Sequence, residues 1–233
     1  MSRSNQTEVV NPAKRFIEWK GSKGIFSYYD KEKEENVEMP LPFTFIVLDT
    51  LSTIKGYSDS AGSGFWSNEV RNTTKDKMTL RNKDGVVAEG LYQEIKGHRD
   101  ATGAKYSQSV YIAYFEGKDL VIGNIQIMGA ALNAWIDFRG GNDIMKGAVT
   151  VKDKVEGKKG ATVYQIPVFE MKELSAETEA KAIELDKELQ SYLSEYLGGS
   201  YTKEQEDAMH GEEEEKKLAA VEPKSLIDDG LPF

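Results

Sequence analysis

From Lys14 to residue 172, the hydrophobic and polar positions form short runs that mostly predict β-strands. The clearest alternation runs through residues 106–115, where Ser107, Ser109 and Tyr111 fall on one side of the predicted strand. Residues 43–48 are rich in aromatic and branched side chains, which indicates a buried strand. Further strands are predicted at residues 16–19, 24–29, 86–95, 120–127, 148–156 and 161–171. Glycine-containing segments between them, including residues 97–105, are predicted loops.

Two segments change to a helical period. Ala130, Ala131, Ala134, Trp135 and Phe138 fall on one helical stripe, and Gly140-Gly141 ends it. The second helix begins after Ser175, a good N-terminal cap, and ends at Gly198-Gly199. Its apolar stripe consists of Ile183, Leu189, Leu193 and Leu197. This stripe predicts packing against the body or against a second subunit, and the pattern does not choose between them.

The order of strands, a short helix and two more strands predicts a mainly β domain over residues 1–172. This order resembles the five-stranded oligonucleotide-binding (OB) barrel, in which a helix lies between the third and fourth strands. The first two strands would then be an additional N-terminal β-hairpin. A generic β-sandwich or another small barrel is the alternative. An amphipathic helix follows over residues 173–199, and residues 200–233 are predicted to be a disordered acidic tail.

Charge is divided unevenly between these segments. The whole chain has a net charge of −9. Residues 1–172 carry a net charge of +2, whereas residues 173–233 carry −11. The acidic total therefore does not exclude a body that binds nucleic acid. A polyanionic tail could also compete with DNA for the basic face of its own body, which would make binding sensitive to salt.

The last nine residues, Ser225-Leu-Ile-Asp-Asp-Gly-Leu-Pro-Phe233, combine acidic and apolar side chains. Such a tip is typical of a peptide that a partner captures by burying the final ring and pairing with the carboxylates. It resembles the Asp-Asp-Asp-Ile-Pro-Phe ending of bacterial single-stranded-DNA-binding proteins, and less closely the acidic, Phe-terminated tails of phage ones. Gly230 and Leu231 depart from that ending. The predicted partner-binding residues are Asp228, Asp229, Leu231, Pro232 and Phe233.

Aromatic rings lie near cations at several predicted strand ends and loops of the body. Binding of single strands needs rings that stack on bases and cations that follow phosphates. Trp66 and Tyr57 are the strongest candidates, because they flank a loop rich in glycine and serine. The full predicted DNA-binding set is Lys55, Tyr57, Trp66, Arg71, Tyr92, Lys96, Arg99, Lys105, Tyr106 and Tyr111. Most other rings, Trp135 among them, are expected in the core.

No constellation of catalytic residues is recognisable, so the chain is predicted not to be an enzyme. His98 and His210 belong to no motif, and no cofactor or metal is expected. The chain has no cysteine, which excludes disulfides and thiolate metal sites. No apolar run reaches the length of a membrane span, and a cytoplasmic protein without membrane partners is expected.

The body and the tail together suggest one function. The resemblance implies a protein that binds and protects single-stranded DNA without strong sequence preference. A phage-encoded version is expected, because the body shows no match to the N-terminal domain of the bacterial family. It would act in DNA replication, recombination or repair, and its tip would recruit replication or repair proteins. Two alternatives stay open: an acidic-tailed interaction or scaffold protein, and an RNA-binding or annealing protein.

Overall fold

The computed structural model describes residues 10–58 and 61–198. The tail beyond residue 198 and its tip, Asp228, Asp229, Leu231, Pro232 and Phe233, lie outside these residues. The strands are β1 Phe16–Lys20, β2 Ile25–Asp30, β3 Glu35–Met39, β4 Phe43–Ser58, β5 Ser63–Ser67, β6 Met78–Asn82, β7 Gly85–Gly90, β8 Lys105–Glu116, β9 Asp119–Met128, β10 Ala148–Lys159 and β11 Thr162–Lys172. The helices are α1 Tyr92–Thr102, α2 Gly129–Gly141 and α3 Ala176–Leu197.

All eleven strands join into one sheet, which confirms the mainly β architecture. Nine strands follow the order β3-β2-β1-β9-β8-β4-β5-β6-β7, while β10 pairs with β4 and β11. The long β4 organises this arrangement, because its first four residues pair with β10, residues 45–55 pair with β8, and its end pairs with β5. All pairs are antiparallel except β1 with β9. The path from β3 to β7 is open, so a closed five-stranded barrel stays a prediction.

The sheet has two covered faces, and we call the face that packs on α2 the inner face. Trp135 of α2 is fully buried there, with its ring centroid 5.2 Å from that of Phe169 and 6.4 Å from that of Phe45. The opposite, outer face packs on α3 through Leu51, Tyr111 and their neighbours. Ser175 caps α3 as predicted, because its hydroxyl accepts from the Thr178 backbone at 3.2 Å. Helix α3 therefore packs on the body of its own chain.

One predicted strand is wrong in its second half, and the loop after it is also wrong. The strand expected at residues 86–95 ends at Gly90, and α1 occupies residues 92–102. The Glu94 carboxylate accepts from the Leu91 backbone at 2.7 Å, so an acidic side chain satisfies a donor at the helix start. Gly103 ends α1 with φ 75°, a conformation that favours glycine. The buried positions Tyr92, Ile95 and Arg99 follow helical spacing that the strand interpretation overlooked.

Candidate nucleic-acid interface

Four side chains form a row across four strands of the sheet. Lys55 of β4 pairs with Lys105 of β8 on one side and with Trp66 of β5 on the other. Trp66 in turn pairs with Arg81 of β6. Directly paired residues point to the same face, and neighbouring strands lie about 4.8 Å apart. The row Lys105–Lys55–Trp66–Arg81, which we call the cationic row, thus places three positive charges and an indole within about 15 Å.

The cationic row lies on the outer face. Leu51 packs against α3 on that face, and alternation along β4 puts Lys55 on the same side. Lys55 and Trp66 are each only 5% exposed, while Lys105 and Arg81 are half-buried. Partial burial lowers the effective dielectric around the charges, so an anion at the row would be attracted more strongly than at an open surface.

Tyr57 adds an accessible ring beside the row. It lies two residues beyond Lys55 on β4 and therefore faces the same side. Its side chain is 37% exposed, and its direct partner on β5 is Gly64, which has no side chain to cover the ring. Tyr57 can therefore offer a face to a planar ligand next to the cations. Of the predicted set, Lys55, Tyr57, Trp66 and Lys105 are brought together here.

The surroundings of Trp66 differ from those that the sequence predicts. The sequence suggested an exposed ring at the edge of a loop, but Trp66 lies within β5 and is buried. Its Nε1 is buried without a hydrogen-bond acceptor among the described residues. A buried indole forms a wall of the site and has no free face for stacking. The expectation of an exposed Trp66 is therefore wrong, whereas its position beside Lys55 agrees with a role in the site.

Tyr92, Arg99 and Tyr106 form a separate cluster inside the fold. Alternation from Lys105 puts Tyr106 on the inner face, where its ring meets Tyr92 edge-on at 5.2 Å between centroids. Arg99 lies 5.5 Å above the Tyr92 ring and donates to its hydroxyl. The hydroxyls of Tyr106 and Ser52 are 2.7 Å apart. Burial raises the pKa of Tyr92. The expectation that these three side chains present free surfaces to bases is not met.

Tyr111 also serves an internal contact. It is almost completely buried on the outer face and donates to the Glu69 carboxylate at 2.8 Å. Burial is the main reason that the pKa of Tyr111 is raised well above its usual value, and the neighbouring Glu69 adds to it. Burial likewise raises the pKa of the Glu69 carboxyl, against the opposing effects of Ser109, Tyr111 and Lys55. The ring of Tyr111 is therefore not accessible to a base.

Arg71 and Lys96 lie outside the cationic row. Arg71 forms an ion pair with Asp49 at 2.8 Å and donates to Gln190 of α3 at 3.2 Å. It lines a cavity of about 680 Å³ between the β5–β6 connection and the end of α3, together with Glu69 and Tyr196. Lys96 is half-buried on α1. These contacts give Arg71 a role in attaching α3.

Sequence reasoning missed Arg81 and the polar side chains of β9. Arg81 joins the row only through the long-range register between β5 and β6, and no local pattern shows it. Asn124 and Gln126 are buried on the outer face, and Asn124 Nδ2 donates to Ser109 Oγ at 2.6 Å. The alternation of Ser107, Ser109 and Tyr111 could have indicated the polar side chains of the neighbouring strand. This predicted alternation is confirmed, and it distinguishes a polar outer face of β8 from an apolar inner face.

Other kinds of site are not found within the part of the chain that the structure describes. No group of three or more His, Asp or Glu side chains there is arranged to hold a metal ion. None of the three helices is long and apolar enough to cross a membrane. His98 is exposed on α1. That the protein is not an enzyme stays a prediction from the sequence.

Comparisons with known proteins add no family to this description. No family model, no curated protein and no solved structure matches the chain.

Proposed function

We propose that this protein binds single-stranded DNA through the cationic row and Tyr57, without strong sequence preference, during DNA replication, recombination or repair. The observation that carries the proposal is the row itself, in which Lys105 and Lys55 are direct neighbours and Arg81 follows on the other side of Trp66. A polyanion bound along the row would interact favourably with these positive charges. A nucleic-acid backbone supplies such an anion in repeating form.

The exposed ring favours a single strand over a duplex. Bases of a single strand can unstack and lie against an aromatic side chain, whereas duplex bases are stacked on each other. Tyr57 is exposed on the face that also carries the half-buried Lys105, so one nucleotide could place its phosphate at Lys105 and its base on the ring. Stacking depends little on base identity, which agrees with binding that lacks strong sequence preference.

The strand order supports an OB-like core within the larger sheet. In this interpretation β4, β8, β9, β10 and β11 are the five strands, and α2 lies between the third and the fourth. Pairing of β4 with both β8 and β10 agrees with it, as does the burial of Trp135 beneath the strands. The segment that contains β5, β6, β7 and α1 is then an insertion after β4, the first strand of this core. OB folds bind oligonucleotides on their second and third strands, and here Lys105 begins the second.

The direct test is binding of the purified protein to fluorescent oligo-dT over a salt series, with duplex DNA and oligo-U as competitors. We expect salt-sensitive binding that duplex DNA does not displace. Absence of binding at low salt, both by the full chain and by residues 1–199, would overturn the proposal and favour a protein-interaction scaffold. Stronger competition by oligo-U than by unlabelled oligo-dT would instead favour an RNA-binding protein.

We further propose that the tip recruits replication or repair proteins, a proposal that rests on the sequence of residues 225–233 alone. Removal of Phe233 should abolish partner capture, because it deletes the ring that a partner would bury. The same variant should bind oligo-dT as the full chain does. Affinity capture from a bacterial lysate that recovers the same proteins with and without Phe233 would contradict this part of the proposal.

A further inference from the structure

A cavity of about 680 Å³ opens between the β5–β6 connection and the end of α3. The four residues of the cationic row do not line it. Part of its wall is apolar, because Val70, Leu193 and Leu197 face it. Val70 and Leu193 are almost completely buried, so the core holds this wall in place. Pockets of about 300–1,000 Å³ enclose small ligands in other proteins, so the cavity has room for several side chains.

Lys77 supplies a positive charge at the rim of this cavity. It is exposed, and it forms no ion pair with any residue that the structure describes. Arg71 also lines the cavity, but its guanidinium is paired with the Asp49 carboxylate at 2.8 Å. The cation that is available to a ligand is therefore Lys77.

The two acidic side chains of the lining take part in internal hydrogen bonds. The Glu69 carboxylate accepts from the Tyr111 hydroxyl at 2.8 Å. The Asp76 carboxylate accepts from the backbone N–H of Asn72, also at 2.8 Å. One available cation beside an apolar wall suits a ligand with few charges and large apolar groups. A nucleic-acid backbone would need several cations to bind here.

The tip of this chain, residues 225–233, has the composition that the cavity requires. Leu231 and Phe233 supply apolar side chains, and Asp228 and Asp229 supply carboxylates. Burial of apolar side chains drives association, while a charge pair at the rim selects the orientation of the peptide. The tip can therefore place a ring on the apolar wall and a carboxylate near the cation of the rim.

The chain itself keeps the tip close to the cavity. Helix α3 ends at Leu197, which lines the cavity, so the segment that leads to the tip begins at its edge. Residues 199–224 connect Gly198 to the tip. As a random coil, a linker of these 26 residues has an r.m.s. end-to-end distance of roughly 28 Å. Such a tether gives an effective concentration on the order of millimolar, so even weak docking within the chain is sufficient.

We propose that the tip docks within its own chain in the cavity at the end of α3. Phe233 packs against Leu193 and Leu197, and an acidic side chain of the tip pairs with Lys77. This inference goes beyond the proposed function, because the cavity lies outside the cationic row and docking requires no DNA. Any partner that buries Phe233 must then compete with the cavity for the tip.

The first test places a photo-crosslinking side chain at the tip of the full chain. Irradiation of dilute Phe233→p-benzoylphenylalanine protein, followed by mass spectrometry, should show crosslinks within one chain to residues 68–77 or 190–197. Crosslinks to the cationic row would instead place the tip on the row. Crosslinks between two chains would identify a second copy as the source of the tip. Either result, or the absence of crosslinks, would overturn the proposal.

A pair of lysine variants tests the role of the rim. In the crosslinking protein, Lys77→Glu should lower the yield about two- to fivefold, because it replaces an attractive charge by a repulsive one. Lys118→Glu is the matched control, since Lys118 is exposed in the β8–β9 turn and does not line the cavity. It should leave the yield unchanged. Equal yields in the two variants would contradict docking at this cavity.

A second measurement determines whether the natural tip occupies the cavity. A fluorescein-labelled peptide of residues 225–233 should bind the chain that lacks Phe233 roughly two- to tenfold more tightly than the natural chain, whose own tip competes with the peptide. Equal affinities would overturn docking within the chain. No DNA is present in either experiment, so failure of the protein to bind oligo-dT would overturn the proposed function and leave this inference standing.

Discussion

Two groups of residues carry the same sequence signature, a ring beside a cation, yet they lie on opposite faces of the sheet. Lys105 and Tyr106 are neighbours in the chain, but Lys105 joins the cationic row while Tyr106 packs against Tyr92 on the inner face. Lys55 and Tyr57 are two residues apart and share a face. Adjacency in a strand therefore separates side chains, and a spacing of two brings them together.

The cluster of Tyr92, Arg99 and Tyr106 on the inner face should matter most for stability. Tyr106→Ala would leave a cavity beside Tyr92 and Ser52, with an expected loss of about 3–5 kcal/mol in the free energy of unfolding. Tyr57→Ala, at an exposed ring, should change it by no more than about 0.5 kcal/mol. Urea denaturation measures both values. A Tyr106→Ala cost below about 1 kcal/mol would show that the inner cluster does not support the fold.

The exposed ring should matter most for binding. Tyr57→Ala should weaken oligo-dT binding by about 1–3 kcal/mol, or roughly five- to 150-fold, because one stacked base is lost. Phe115→Ala is a matched control, since Phe115 is 53% exposed at the opposite end of β8 from Lys105. Equal losses in the two variants would remove Tyr57 from the site.

Glu69 gives a smaller effect that depends on pH. Burial raises its pKa in the folded state above the value of the unfolded chain. Its contribution to stability is therefore present at acidic pH, below the unfolded pKa, and is lost as the pH rises through the folded pKa. Glu69→Gln should accordingly gain stability relative to the natural protein between acidic and neutral pH. If the urea midpoints of Glu69→Gln and of the natural protein differed by the same amount at every pH in this range, the raised pKa would be contradicted.

Local patterns predicted several elements well. Period changes located α2 and α3, and the cap at Ser175 marked the start of α3. Alternation in β8 separated its two faces. Helix α1 was missed because its buried residues, Tyr92 and Ile95, also suit a strand, and the decisive Glu94 contact is with the backbone.

The site was harder to predict than the fold elements. Lys55, Tyr57, Trp66 and Lys105 were chosen because a ring lay near a charge, and they prove to be close in space. The same rule also chose Tyr92, Arg99 and Tyr106, which are buried. It missed Arg81, whose place beside Trp66 depends on the β5–β6 register. Such long-range pairing cannot be predicted from any short segment of the chain.

The salt dependence of oligo-dT binding tests most directly whether the cationic row holds phosphates. Each neutralised phosphate of a single strand contributes about −0.7 to the slope of log affinity against log salt. The double variant Lys105→Gln/Arg81→Gln should therefore flatten the slope by about 1.4. Lys118→Gln, in the exposed β8–β9 turn, should leave the slope unchanged. A double variant with the natural slope would contradict binding of the strand at the row.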